Sequence, residues 1–304
     1  MLQALAAQDL RVATIAFRLL VGGVGICRAQ APASGLLVHD ALQYAASLRP
    51  TARALFGFED GPAVLAVVPG SPADRAGIAA GDTIRAIDGA PIATGERPEP
   101  DRRRPSFAVT ADVEARLAQA FDKGAVTLTL ARAGGPARIV RIEPVPACRS
   151  GVELQPASKR NAWSDGQSVV VTTAMLETTG SDDELAVVIG HEVAHNLLNH
   201  RARLDAAGVG KGLFSRIGPK AKQVRESEGE ADYLGIYLVA RAGYDPAAGA
   251  GFWSRYGAAH GDGFLADATH PGWRERVAKL ASTASEIAAK RAAGAPLVPT
   301  PPIL

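Results

Sequence analysis

Apolar residues recur along this chain with two periods, and the switch between them marks out its organisation. Over 63–143 the short period dominates. Ala63–Val68 is a continuous apolar run of buried-strand type, and Pro69-Gly70 turns the chain. Ser71 then caps a short helix with Pro72 at its first position, and Gly77 ends it. Thr83–Ile87 predicts a second strand, closed by the tight-turn pair Asp88-Gly89. Val113, Leu117 and Phe121 put one apolar face on a helix over 110–121 that stops near Gly124. Segments 125–131 and 138–143 predict a hairpin across Gly134-Gly135. From 181 onward the period is helical. Ser181 with Glu184 three residues on is a capping-box pattern, and Asp182 and Asp183 place negative charge at the positive end of the helix dipole. Leu185, Val188 and Ile189 continue an apolar stripe, so 182–204 reads as one long helix. Leu234, Leu238 and Val239 mark another. Residues 9–27 are helix-like and apolar, and Ser168–Thr172 is a β-branched strand. The whole predicts an α+β chain.

The first of the two later helices carries chemistry. His191-Glu192-Val193-Ala194-His195 sets two imidazoles at i and i+4, one above the other on the same helix face, where they can bind one metal ion. Glu192 lies beside them, placed to take a proton from water, and Zn²⁺ lowers the pKa of a bound water to about 7. A hydrolytic zinc site needs a third protein ligand. Position 201 is Arg201, so a third His six residues after His195 is absent. Downstream, Glu228 and Asp232 lie one turn apart at the start of the second helix, and one can bind metal while the other fixes a ligand imidazole.

H-E-x-x-H followed by E-x-x-A-D (Glu228 to Asp232) resembles the HtpX, BepA and CAAX-prenyl-protease family of gluzincin metallopeptidases. The resemblance extends to Asn161-Ala162-Trp163 and the strand after it, to Ala242-Gly243-Tyr244-Asp245-Pro246, and to Thr269-His270-Pro271 with Arg276; in all it covers residues 147–285. It implies a mainly helical zincin-type domain with a small antiparallel sheet. It further implies that His191, His195 and Glu228 hold one Zn²⁺, that Asp232 orients a ligand His, and that Glu192 is the general base. An edge at Asn161, Ala162 and Trp163 would receive a polypeptide substrate as an added strand. His270 is open between a metal-facing or oxyanion role and a simple turn cap. Tyr233, Tyr244 and Arg276 are further oxyanion candidates. His200 is read as structural on the opposite helix face, and His39 and His260 have no motif around them.

The G-S-P-A-x-x-A-G order at 70–77, with Gly81-Asp82 and Gly89 after it, resembles the PDZ domain of bacterial HtrA-type proteases. That implies a β-barrel-like module binding C-terminal peptides between a strand and the 110–121 helix, with Leu55-Phe56-Gly57-Phe58 as the carboxylate loop. The expected organisation is an N-terminal helical segment (1–50) packing on the peptidase domain, an inserted PDZ module (51–146), the peptidase domain (147–290) and a loose Pro-rich tail (291–304). The charged, Pro-rich insert at 96–105 lacks aromatics and reads as a solvated loop. Segment 206–224, rich in Gly and basic residues, is open between a mobile lid, a surface-contact loop and a plain connection.

Composition changes little. At 304 residues two domains are expected, and a net charge of +2 points to neither nucleic acid nor a polyanion partner. No run of 18 apolar residues suggests a membrane span, so the chain resembles the soluble, periplasmic-type members of the family. Cys27 and Cys148 lie in no metal pattern. If the PDZ unit is inserted after the first helix, a Cys27–Cys148 disulfide would tie the ends of the insertion. Arg11 and Arg18 interrupt the first apolar stretch, so no signal peptide is evident; a disulfide would favour an exported, periplasmic protein over a cytoplasmic one. The function expected is a zinc endopeptidase, with envelope protein quality control as the role the resemblance implies. The alternatives are a latent zincin acting as a PDZ-mediated binding or chaperone-like protein and, as a minor one, an exopeptidase.

Overall fold

A computed structural model of the protein describes residues 1–57, 61–92, 104–209, 219–261 and 272–300. The chain divides into two compact units, Met1–Phe17 with Ala31–Pro146, and Arg18–Gln30 with Ala147–Leu304. Helix α1 (Leu2–Gly22) contributes to both, and strands β1 (Gln30–Ala33) and β8 (Val145–Cys148) lie where the chain passes between them.

The first unit is built on one sheet. Strands β2 (Leu36–His39), β3 (Ala63–Val67), β4 (Thr83–Ile87), β6 (Val126–Ala131) and β7 (Arg138–Ile142) are neighbours in that order, with β5 (Ala90–Pro91) paired to β4. All pairings are antiparallel, with Val38 opposite Val64, Ile84 opposite Leu130 and Leu128 opposite Val140. Val126, Leu128 and Leu130 are buried while Thr127 and Thr129 alternate with them, so one face carries the core. Helix α4 (Ala108–Phe121) lays Val113, Leu117 and Phe121 on that face. Helix α3 (Pro72–Arg75) is capped by Ser71, whose Oγ accepts the Asp74 N–H. Asp88 (φ 48°) and Gly89 (φ 76°) make the left-handed turn between β4 and β5. Asp82, fully buried, is held by Arg132 at 2.9 Å and Arg138 at 2.6 Å.

Two features differ from the sequence reading. The sheet is open rather than barrel-like: β2 and β7 are its two ends among the described residues. It also starts earlier than residue 51, because β2 pairs with β3. Helix α2 (Arg49–Phe56) then occupies the place expected for a carboxylate loop. Leu55 and Phe56 are helical, and the Gly57 N–H donates to Arg53 O, so these backbone donors already have acceptors within the helix. Phe58 lies outside the described residues.

The second unit is mainly helical: α5 (Thr173–Thr178), α6 (Asp182–Leu197), α7 (His200–Ala206), α8 (Pro219–Arg241), α9 (Ala248–His260) and α10 (Trp273–Ala292). Its sheet runs β10 (Ala162–Ser164), β11 (Ser168–Thr172), β9 (Gly151–Gln155). β10 is antiparallel to β11, and β9 joins in parallel, so the sheet is mixed. Helices α6 and α8 cross at Gly190 and Gly235: a Cβ on Gly235 would stand 3.0 Å from Gly190 C and 3.0 Å from His191 N. The end of α1 docks here through Arg18, which donates to Ala242 O at 2.8 Å, and through Arg241, which donates to Gly22 O and Val24 O, each at 2.6 Å. Cys27 and Cys148 are disulfide-bonded across 121 residues of sequence. The chain after α10 is not loose up to Thr300. Arg241 donates to Leu297 O, Lys290 to Val298 O, and the Thr300 N–H to Tyr233 Oη. None of the described helices is long and apolar enough to cross a membrane.

Candidate metal centre

Helix α6 begins at Ser181, whose Oγ accepts the Glu184 N–H, and its apolar residues bury it almost throughout. That burial carries His191 and His195 inside the unit, one turn apart. Helix α8 brings Glu228 opposite them, because the two glycines let the helices touch. The His191 and His195 Nε2 atoms are 3.1 Å apart; His191 Nε2 is 3.3 Å from Glu228 Oε2, and His195 Nε2 is 3.4 Å from Glu228 Oε1. Ligand atoms about 2.0–2.1 Å from a tetrahedral zinc stand about 3.3 Å from one another. The two imidazole nitrogens and the Glu228 carboxylate, one oxygen facing each ring, are therefore grouped closely enough to hold one metal ion. Two imidazole nitrogens converging on each other and on a carboxylate form a donor set that a divalent cation fits.

Each ligand imidazole has an outer partner. His191 Nδ1 lies 2.8 Å from Asp232 Oδ1, which also accepts from Arg276 Nη2 at 2.6 Å and Nε at 3.1 Å. The Arg276 guanidinium lies 3.6 Å over the Trp253 ring. Burial pushes Asp232 up, but Arg276 and then His191 outweigh it and hold its carboxyl below the usual range. Burial and the Arg276 charge push His191 down, yet Asp232 and Glu228 raise it to about 10. Glu228 is held well below the ordinary carboxylate range, because hydrogen bonds from both histidines outweigh its burial. Proton and metal thus compete for one strongly anionic pocket.

Helix α6 is shorter than the sequence predicts. It stops at Leu197, Asn199 takes a left-handed conformation (φ 53°), and α7 restarts at His200. The reversal brings His200 back against His195 instead of onto the opposite face: their Nδ1 atoms are 2.9 Å apart. His200 Nε2 is 3.0 Å from Glu230 Oε2, and Arg203 donates to the same oxygen at 2.7 Å. Burial, then the neighbouring His195, pushes His200 down to about 4. Sequence reasoning missed this contact; its only signals were Asn199, a residue type that tolerates the left-handed region, and Glu230.

A cleft of about 220 Å³ opens over the donors, and Glu192 lines it. So do Ala162, Trp163 and Ser164 of β10, the end strand of its sheet. Asn161, just before β10, is pinned by Thr172, whose Oγ1 accepts its N–H and donates to its carbonyl, both at 2.9 Å. Met175, Val188 and Trp253 give the cleft an apolar lining that the sequence did not reveal. Of the oxyanion candidates, Arg276 lines the cleft and donates from Nε and Nη2 to Asp232. Tyr233 donates to Glu286, and Tyr244 lies under the Arg18 guanidinium. His270 lies outside the described residues, as does 210–218 of the segment between the motifs.

A helix-borne pair of imidazoles facing a carboxylate from a second helix defines the metal centre of a zincin-type metallopeptidase domain. Residues 147–217 and 214–284 match Peptidase family M48, and residues 64–99 match the PDZ domain family, so the chain carries an M48 peptidase domain together with a PDZ domain. Among known proteins it is similar to Mitochondrial metalloendopeptidase OMA1 of Schizosaccharomyces pombe, 31% identical over 147 residues, which are 41% of this chain and 44% of that protein. It is similar also to the Arabidopsis thaliana protein of the same name, 34% identical over 135 residues, 37% of this chain and 27% of that one. The chain thus spans less than half the length of these relatives. A 38-residue stretch, 12% of the chain, is 58% identical to 10% of Putative serine protease HhoA of Synechocystis. The crystal structure of the HtrA3 PDZ domain bound to a phage-derived ligand covers 38% of this chain and 88% of its own, at 19% identity and a TM-score of 0.27, too low to bear on the fold.

Proposed function

We propose that this protein is a zinc-dependent endopeptidase acting on extended polypeptides. The observation that carries this is the convergence of His191 Nε2, His195 Nε2 and the Glu228 carboxylate, with contacts of 3.1, 3.3 and 3.4 Å, beneath a cleft that Glu192 and the β10 edge share. His191, His195 and Glu228 would hold the zinc. When bound, zinc supplies a Lewis acid that polarises the scissile carbonyl and acidifies water. Glu192 accepts the proton of the attacking water and delivers it to the departing amine. Asp232, fixed by Arg276, keeps His191 in the tautomer that leaves Nε2 free for metal. The unpaired side of β10 takes the substrate backbone as an added strand. The assigned substrates are polypeptides generally; envelope protein quality control is the biological role this reading favours, since a disulfide is retained in oxidising compartments.

We further infer that the PDZ module is an insertion in the peptidase, because 31–146 separates two segments of one compact unit, and Cys27–Cys148 bridges the flanks. Its peptide-accepting edge is β2, the end strand beside α4. Casein hydrolysis by metal-quantified wild type beside Glu192→Gln, with chelator and zinc add-back, tests the enzymatic reading. Expected are one zinc per chain in both proteins and a loss of about 10²–10⁴-fold in rate in the variant. Zinc bound with no activity in either would refute it in favour of a latent protein.

A further inference from the structure

The two ligand histidines are supported differently. His191 has a carboxylate behind it, as metal-binding imidazoles commonly do, and that carboxylate is backed by Arg276. Behind His195 stands another imidazole, His200, and behind that Glu230 and Arg203. Hydrogen-bond logic sets every proton along this line. A His195 that offers the Nε2 lone pair to a metal carries its proton on Nδ1. That N–H can donate only to an unprotonated His200 Nδ1, 2.9 Å away. His200 therefore carries its own proton on Nε2, where Glu230 Oε2 accepts it at 3.0 Å. Arg203, 2.7 Å from the same oxygen, keeps Glu230 an anion and in place. No other arrangement of protons satisfies each contact and leaves His195 Nε2 free.

The backbone is shaped for this line. Asn199 is one of two non-glycine residues at positive φ among the described residues, and its reversal alone turns His200, about 1% exposed, back onto His195. The three carboxylates of Glu228-Gly229-Glu230-Ala231-Asp232 then divide between the donors: Glu228 joins the donor set, Asp232 backs His191, and Glu230 backs His195 through His200.

We propose that His200, with Glu230 and Arg203, is a positioning relay that holds the His195 imidazole in its metal-binding tautomer and orientation. The proposal rests on the zinc reading above. Its test is the zinc dissociation constant, measured by competition with a chromogenic chelator, alongside the melting temperature of the metal-free proteins. His200→Leu fills the volume but cannot accept from His195, and should weaken zinc binding about 10–100-fold. His200→Gln can accept with Oε1 and donate with Nε2, and should recover most of that loss. Wild-type affinity in His200→Leu overturns the relay, and so does an equal loss in both variants, which would mean that only packing matters. Should His200→Leu not fold, Glu230→Ala, half-exposed at the far end, must still weaken zinc binding; unchanged affinity overturns the proposal. Wild-type protein that takes up no zinc would sink the metal reading and the relay with it, whereas zinc uptake indifferent to these variants would sink the relay alone.

Discussion

Two glycines of α8 allow a paired test of how the site is held together. Gly229 lies between Glu228 and Glu230, and a Cβ there would meet nothing within 4 Å. Gly235 lies six residues on in the same helix, and its Cβ would stand 3.0 Å from Gly190 C and His191 N and 3.1 Å from Gly190 O. All three are backbone atoms, so no side chain can swing aside. In both cases alanine gains about 1 kcal/mol of helix propensity over glycine. At Gly229 nothing opposes that gain. At Gly235 overpacking against a helix backbone costs about 1–3 kcal/mol, so the net effect runs from about neutral to roughly 2 kcal/mol destabilising. The two substitutions should therefore differ by about 1–3 kcal/mol, or roughly 2–10 °C in the melting temperature of a unit this size. The function should follow, because relief at Gly235 requires α8 to back away from α6, which carries Glu228 and Asp232 off His191. Thermal unfolding of the metal-free proteins and chelator competition for zinc read the two effects. A Gly235→Ala protein as stable and as zinc-avid as Gly229→Ala would refute the view that helix contact at this crossing assembles the site.

Other outcomes follow from single contacts. Replacing Cys27 and Cys148 by Ser should lower stability by up to about 5 kcal/mol in the chain-entropy view, read as a drop in melting temperature that reductant reproduces in the wild type; no drop would mean that the bridge constrains little. Arg276→Leu leaves the Asp232 carboxylate buried with only His191, and breaking such a pair should cost about 3–5 kcal/mol and weaken zinc binding; a loss below 1 kcal/mol in denaturant unfolding would contradict it. His39 is fully buried beside Tyr44, and burial pushes its imidazole down to about 4 from 6.5. A depressed folded value makes its contribution complete above about pH 6.5 and lost as pH falls toward 4, roughly 3 kcal/mol in all. Asp9, raised by burial to about 6, works the other way. The comparison is therefore wild type against His39→Asn between pH 7.5 and 4.5, and parallel curves would count against the assignment.

Local chemistry in the sequence determined a great deal of this molecule. Two imidazoles at i and i+4 share a helix face whatever surrounds them, so His191 and His195 were legible as a metal pair, and the E-x-x-A-D resemblance singled out Glu228. Turn and cap residues were equally explicit: Ser71, Gly77, Asp88-Gly89 and Ser181 each demand a particular backbone, and α3, β4 and α6 begin or end where they stand. Tertiary structure alone decided the rest, for a shared reason: each such feature depends on which distant surfaces meet. Asn199 leans towards caps and turns, but by too little to end a helix by itself, so neither the break after Leu197 nor the return of His200 to His195 follows from local preference alone. Leu55-Phe56-Gly57 carries a loop-like pattern, but Phe56 packs edge-on to His39, and that burial favours helix α2. Gly190 and Gly235 are 45 residues apart, and nothing in either neighbourhood says that their backbones touch. The candidate metal ligands could be named from the order of residues, but the closeness of the donors and the polar lines behind them exist only because α6 and α8 are pressed together there.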